Sequence, residues 1–441
     1  MHVRVCGAII KHMHRRQFLA NAATALAAGR AVGANDRVRV GLLGCGGRGR
    51  YVAGLMREAP GVEYVAAADV YLPNAERVQQ WAGPNARAFQ DFRRLLELKD
   101  VDAVHVATPD HWHAIPTVLA CQAGKDVYVE KPLAHNVREG RAMVNAARRY
   151  NRIVQAGTQH RSSPHFREVE QIVQSGTLGK VNWVRVWNYA NWFPQGIGRE
   201  PDADPPAGLD WDFYLGPAPY VPYNRKRFLV TYRWFWDYSG GYITDFGTHR
   251  LDTVHQVMGV TAPNTAAASG GRFTLRDAGE IPDVLQVTYE YPGFVMSYES
   301  CLLNGHGVGG RTPDMKYYNA KGAEDRPNGM AFYGTNGALY ADRIGYEIYP
   351  EPKSPLERKQ MNTTDATRLH AANFIDCVRS RNKPNAEVEI GHRSTTVAHL
   401  GNIAFKTGRK LHWNAGTEEF TDDGEASKLL ARVARKPWDL I

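Results

Sequence analysis

Val38-Arg39-Val40-Gly41-Leu42-Leu43, followed by Gly44-Cys45-Gly46-Gly47-Arg48-Gly49, is the stretch whose reading decides the fold. The first six residues are a short apolar run of strand type, and the next six match G-x-G-x-x-G. An amphipathic stretch, Tyr51 to Glu58, comes directly after. A second strand, Val62 to Ala68, then ends in Asp69, twenty residues past Gly49. Each part has a physical task in holding a dinucleotide. Gly44 permits a tight turn, Gly46 lets backbone approach a pyrophosphate, and Gly49 lets helix pack on strand, with Gly47 and Arg48 in the same loop. The helix N-terminus offers amide donors to phosphate. A carboxylate at the end of the second strand hydrogen-bonds ribose hydroxyls and repels a 2′-phosphate, so Asp69 favours NAD over NADP, while Arg48 and Arg50 weigh the other way.

Outward from this unit the alternation continues. Asn74 to Trp81 and Phe92 to Leu98 read as helices, and Val101 to Ala107 as a strand ending in Thr108-Pro109-Asp110-His111-Trp112-His113. A helix runs to Ala123, the strand Asp126 to Val129 leads into Glu130-Lys131-Pro132, and a helix (Val137 to Arg149) and strand (Ile153 to Ala156) follow. This is the pattern of a doubly wound parallel sheet of Rossmann type, whose ligands lie at the carboxyl ends of the strands. Thr108, Pro109, Glu130 and Lys131 fall there, as do Gly44 and Asp69. His111 and His113 form an H-x-H pair without a third ligand nearby, so they read as capping or cofactor-lining groups, with His113 toward the cofactor and no metal.

Gly44–Gly49, Thr108-Pro109-x-x-x-His113 and Glu130-Lys131-Pro132 at these intervals resemble the Gfo/Idh/MocA oxidoreductases, and the resemblance runs from Arg37 to Trp413. It implies an α/β protein in two parts. The first is a Rossmann domain over 36–156. The second, over 157–415, is an α+β domain with a largely antiparallel, open-faced sheet that often forms the interface of a dimer or tetramer, and 416–441 is left as a tail. The residues of the second part agree. Pro164 to Ser175 reads as helix, and Val181 to Tyr189, Asp283 to Tyr291, Phe294 to Ser300 and Ala331 to Tyr340 alternate like strands. Thr367 to Arg379 and Arg393 to Thr407 read as helices. Between Asn191 and Trp236 lies a proline-rich aromatic insertion without periodicity, a length unusual unless it builds a site.

The chemical centre of the second part is Gly240-Gly241-Tyr-Ile-Thr-Asp245-Phe-Gly-Thr-His249-Arg-Leu-Asp252. On a helix Asp245 and His249 are i and i+4 and share a face. Taking hydride from a secondary alcohol needs a base for the hydroxyl proton, which suits histidine, with a carboxylate to orient the ring. The family resemblance adds the lysine of the E-K-P motif and makes Lys131, Asp245 and His249 the catalytic set. It also carries Gly157-Thr158-Gln159-His160-Arg161 close to the nicotinamide, so Gln159 is a cofactor contact and Arg161 a substrate contact. Trp192, with Tyr214, Trp234 and Trp236, reads either as a sugar-stacking platform or as core. Asp252 reads as structural.

The bulk numbers exclude several classes. The 441 residues are 43% hydrophobic and 22% charged, ordinary values for a globular protein, and no apolar run approaches the roughly 18 residues of a membrane span. The net charge of +9 drops to +4 once residues 1–35, with five cations and no acid, are set aside, which argues against a nucleic-acid partner. The five cysteines make neither a disulfide framework nor a zinc site. Residues 1–35 read as a signal: Arg15-Arg16-Gln17-Phe18-Leu19 is a twin-arginine pattern before an alanine-rich stretch, with Met13 as a candidate start. That predicts a bacterial, periplasmic protein exported folded with its cofactor. The reading is thus a NAD-dependent oxidoreductase acting on a secondary hydroxyl of a sugar, polyol or glycoside. The alternative is a NAD-dependent glycosidase working by transient ring oxidation, elimination, hydration and re-reduction.

Overall fold

Val38, Val40, Leu42 and Leu43 are buried on both faces of the strand they form, β1 (Val38–Leu43), which therefore lies at the centre of a parallel sheet. With β2 (Val62–Ala68), β3 (Arg87–Phe89), β4 (Ala103–Val106), β5 (Asp126–Val129) and β6 (Val154–Ala156) it makes six strands in the order β3-β2-β1-β4-β5-β6. The order reverses between β1 and β4, which opens a crevice at their carboxyl ends. The computed structural model describes residues 37–320 and 326–439, and the arginine pair Arg15-Arg16 lies outside them.

The second sheet has eleven strands: β7 (Val181–Asn191), β8 (Thr265–Gly271), β9 (Val284–Tyr291), β10 (Phe294–Cys301), β11 (Leu303–Asn304), β12 (Asn328–Gly334), β13 (Gly337–Asp342), β14 (Gly345–Pro350), β15 (Lys359–Asn362), β16 (Leu411–Asn414) and β17 (Glu419–Thr421). Apart from the parallel pair β7 and β10, its ladders are antiparallel. Alternation puts Val184, Val186, Val287, Tyr289, Met296 and Phe332 on one face, where they pack against Phe166, Leu251, Val254 and Leu400 of the covering helices. The other face leaves Trp183 open, 42% exposed and stacked on Tyr333 with ring centroids 4.4 Å apart.

A late helix comes back to the first sheet. This helix, Thr367–Ser380, buries Ala371, Phe374 and Ile375 in the same core as Val38, Val40 and Tyr128. The stretch after 415, read as a tail, is built into the fold as well. Trp438 is 8% exposed, stacked on Phe213 at 5.2 Å and edge-on to Trp112 at 4.8 Å. Its sequence has too few apolar residues for a periodicity, so only the contact across the chain reveals it.

Candidate active site

The helix after β1, α1 (Gly47–Arg57), starts four residues before its apolar periodicity does, because its first turn is Gly47-Arg48-Gly49. Gly44 has φ +85°, and a Cβ there would lie 2.5 Å from the Thr108 amide nitrogen. A Cβ on Gly49 would lie 2.4 Å from the Gly44 carbonyl oxygen, whereas one on Gly46 meets nothing within 4 Å. The first and third glycines therefore serve close packing, and the second leaves open the approach to free amides at the helix start. Asp69 accepts from the Cys45 amide at 2.7 Å and the Tyr71 amide at 2.9 Å, which ties the glycine loop to the end of β2.

These groups line one side of a cavity of about 310 Å³, large enough for part of a bound nucleotide. Gly44, Gly46, Gly47, Arg48, Asp69, Thr108, Pro109, Glu130 and Lys131 are on its wall. The opposite wall is the insertion, from Phe213 and Tyr214 to Phe228–Arg233. The insertion is thus a cover for the crevice, fixed by the Leu72 amide donating to Gly208 O at 2.9 Å, by Trp112 Nε1 donating to Tyr214 O at 2.8 Å, and by the Tyr232 hydroxyl donating to Asp110 at 2.9 Å.

Among the described residues, six buried polar atoms in or near the crevice have no hydrogen-bond partner: Arg48 Nη2, Thr108 Oγ1, Glu130 Oε2, Thr158 Oγ1, Gln159 Oε1 and His249 Nδ1. Buried polar groups are ordinarily satisfied by protein, ordered water or a ligand. Arg48, Thr108 and Glu130 are on the cavity wall itself, so this residue set fits a dinucleotide. Arg48 Nε donates to Glu130 at 2.8 Å. Burial works against a charge on Glu130, but Arg48, His105 and Lys131 outweigh it and hold its carboxyl below the ordinary value.

Asp245 sits in a single wide π-helical turn, Ile243–Gly247, that runs into the helix Thr248–Met258. Such turns alter which side chains line up, and they recur at functional sites. Asp245 and His249 accordingly do not pair as i and i+4. Asp245 forms an ion pair with Lys131, whose Nζ also donates to Asp245 O at 3.0 Å, and a second with Arg233 Nε at 3.2 Å. Burial opposes ionisation of Asp245, yet Lys131 and then Arg233 pull its pKa down to about 2. His249 turns instead to His160, the rings stacked with centroids 5.3 Å apart. Burial, then Arg343, Lys131, His160 and Arg48, push the His249 imidazole well below its usual range. It is held neutral, able to accept a proton through an unoccupied nitrogen.

Residues 38–158 match a family model described as an oxidoreductase family with an NAD-binding Rossmann fold, and 163–269 with 321–440 match its C-terminal alpha/beta domain. The chain belongs to the Gfo/Idh/MocA oxidoreductase family. The scyllo-inositol 2-dehydrogenase (NAD(+)) of Bacillus subtilis is 30% identical over 358 residues, 79% of this chain and 88% of that protein. An inositol 2-dehydrogenase of Rubrobacter xylanophilus is 34% identical over 182 residues, 41% and 49% of the two chains. For the first three curated relatives the match spans 64%, 49% and 52% of their length. The aldose-aldose oxidoreductase of Caulobacter crescentus, crystallised with glycerol, has the same fold, with a TM-score of 0.63 at 18% identity over 85% of this chain and 99% of that one.

Within this family member the remaining expected residues fall into two groups. Gln159 is buried with its Oε1 free, beside the connection after β6. His113 is on the cavity wall, but its ring nitrogens face Pro132 O at 2.7 Å and Thr108 O at 2.9 Å, so it holds the two strand ends in place. His111 faces Tyr214 O at 2.9 Å, a structural contact. Arg161, expected at the substrate, is bound instead to Asp252, with its Nε 3.0 Å from both carboxylate oxygens, and it faces away from the cavity. Trp192, expected as a stacking platform, packs edge-on to Trp234 at 5.0 Å in the core of the insertion, off the cavity wall. Sequence reading missed Arg233, which pairs with Asp245, and Arg343, which acts on His249. The signal for Arg233 is a lone cation between Tyr232 and Trp234, and Arg343 carries none. Among the described residues no group of histidines, cysteines and acids could hold a metal ion, and no helix is long and apolar enough to cross a membrane.

Proposed function

We propose that this chain is a NAD-dependent dehydrogenase that takes hydride from a secondary hydroxyl of a sugar or polyol. What carries the reading is a neutral, buried His249 with a free nitrogen beside the Lys131–Asp245 pair at the strand ends of the crevice. Two inositol dehydrogenases among the relatives support a polyhydroxylated substrate. The bound nicotinamide would supply the hydride acceptor, and the glycine loop, Asp69, Thr108 and Glu130 would hold it. His249 takes the hydroxyl proton. Lys131, fixed by Asp245, lends positive charge to the oxygen as that proton leaves. Arg233 shares Asp245, so the carboxylate is anchored from both the first domain and the insertion. The glycosidase route would also need a base for the elimination. Tyr214 and Tyr232 in the insertion are buried, with hydroxyls committed to Arg227 O and Asp110, and do not supply one.

The preference for NAD over NADP belongs to the same proposal and rests on Asp69. Asp69→Ala is expected to shift the ratio of NAD to NADP affinity toward NADP by about tenfold or more, the scale of a removed like-charge contact. Titration of both cofactors into wild type and variant reads this directly, and tighter NADP binding by the wild type would overturn it. Export is the remaining part. Replacing Arg15 and Arg16 by lysine is expected to retain the protein in the cytoplasm, because such signals are read by receptors. Unchanged cell fractionation would return residues 1–35 to an ordinary basic segment.

A further inference from the structure

The cavity under the insertion reaches the far edge of the first sheet. Gln90 and Phe92 follow β3, the strand at that edge, and share the cavity wall with Asp69 and Val70 at the end of β2. In a doubly wound sheet the acid at the end of the second strand meets the ribose that carries adenine, so this end of the cavity is the place of an adenosine. Facing it are Tyr214, Phe228, Leu229 and Val230, which belong to the second domain. The insertion is stitched to the loop that begins at Asp69. The Asp210 amide donates to Val70 O at 3.0 Å, and Tyr71 pairs with Leu209 as an isolated antiparallel bridge. Gln90 Nε2 donates to Val70 O at 3.0 Å and to Gly208 O at 3.1 Å. Phe228 stands edge-on to Tyr71 and to Tyr214, with ring centroids 6.0 and 5.2 Å apart.

The tip of this wall is open. Leu229 is 51% exposed and Val230 66%, although both line the cavity. Leu229 also has φ +55°, a left-handed backbone that costs a leucine energy and recurs at ligand clamps. The chain is held on either side of the tip. Before it the Tyr214 hydroxyl donates to Arg227 O at 2.8 Å, and after it Tyr232 donates to Asp110 and Arg233 pairs with Asp245. An exposed apolar pair kept over a ligand cavity by fixed ends and a strained backbone is surface that a ligand's apolar face would cover. Resting on the reading of the crevice as a dinucleotide site, we propose that Phe228, Leu229 and Val230 form the outer half of an adenosine pocket. The second domain thereby holds the cofactor by its non-reacting end. Adenine offers two flat, uncharged faces, which suit these side chains. Their contacts set how long the cofactor stays, and its release requires the stretch from Phe228 to Thr231 to lift.

The test reads binding alone, on NADH-loaded full-length protein, in wild type and in a variant combining Leu229→Ala with Val230→Ala. Both side chains are largely exposed, so the variant should melt as the wild type does. NADH dissociation, followed by nicotinamide fluorescence during a chase with excess NAD, is expected to be roughly 10-fold faster in the variant, the scale of two lost apolar contacts. ADP-ribose keeps the adenosine and lacks the nicotinamide. Its affinity, read by displacement of NADH, should fall by about the same factor relative to the wild type. Should the double variant melt early, Val230→Ala alone is expected to speed dissociation roughly 3-fold. An unchanged dissociation rate in folded variants, or a loss of NADH affinity that ADP-ribose does not share, would overturn the inference. A wild type that binds neither NADH nor ADP-ribose would instead overturn the dinucleotide site itself, and this inference with it.

Discussion

Lys131→Met is expected to slow hydride transfer by roughly 10²–10³-fold while NAD still binds. That is the usual cost of losing a preorganised group that stabilises developing negative charge. The variant keeps the side-chain volume and leaves Asp245 with Arg233, so the buried carboxylate is not stranded. The loss should therefore appear in kcat more than in cofactor affinity, because Arg48, Asp69, Thr108 and Glu130 remain on the cavity wall. Single-turnover reduction of bound NAD, beside cofactor titration, separates the two. A Lys131→Met protein that reduces NAD at the wild-type rate once saturated, but binds it far more weakly, would make the lysine a cofactor anchor and not a catalytic group.

His249→Gln is expected to cost roughly 10²–10⁴-fold, the range of a positioned acid/base. Its pH behaviour follows from the surroundings. Burial and the adjacent cations keep the native imidazole neutral well below its usual pKa of about 6.5. The unfolded chain takes up a proton near that pH and the native chain does not, so this residue lowers stability as pH falls through about 6.5. In kcat/KM the free enzyme should show no acid limb at 6.5, because the base is still unprotonated there. A limb centred near 6.5 that disappears in His249→Gln would mean an exposed, ordinary histidine.

The two parts of the molecule differ in how far their sequence could be read. The places of the Gly44–Gly49 loop, Asp69 and the strand ends at Thr108 and Lys131 were all legible, because each setting is local: a turn, a helix start, a strand terminus. Asp245 and His249 stood out as i and i+4 on one helix face, but the structure does not pair them, since one π-helical turn undoes that alignment and no sequence period marks it. Arg161 was misplaced for a similar reason, its partner Asp252 lying 91 residues away. Arg233 and Arg343 meet Asp245 and His160 only through the fold. The insertion was recognised as site-building by its length. Its aromatics, however, divide between a core of their own, with Trp192 and Trp234, and the cavity wall, with Tyr214 and Phe228, and composition does not separate these roles.

The most direct test of the account is a single mixing experiment. NAD-loaded protein is mixed with a panel of inositols, sugars, sugar acids and glycosides, and nicotinamide absorbance is followed in wild type and His249→Gln. The account predicts rapid reduction of the bound cofactor by at least one polyhydroxylated compound in the wild type, and a rate roughly 10²–10⁴-fold lower in a variant that melts and binds NAD normally. Hydride transfer at the wild-type rate in folded His249→Gln would contradict it.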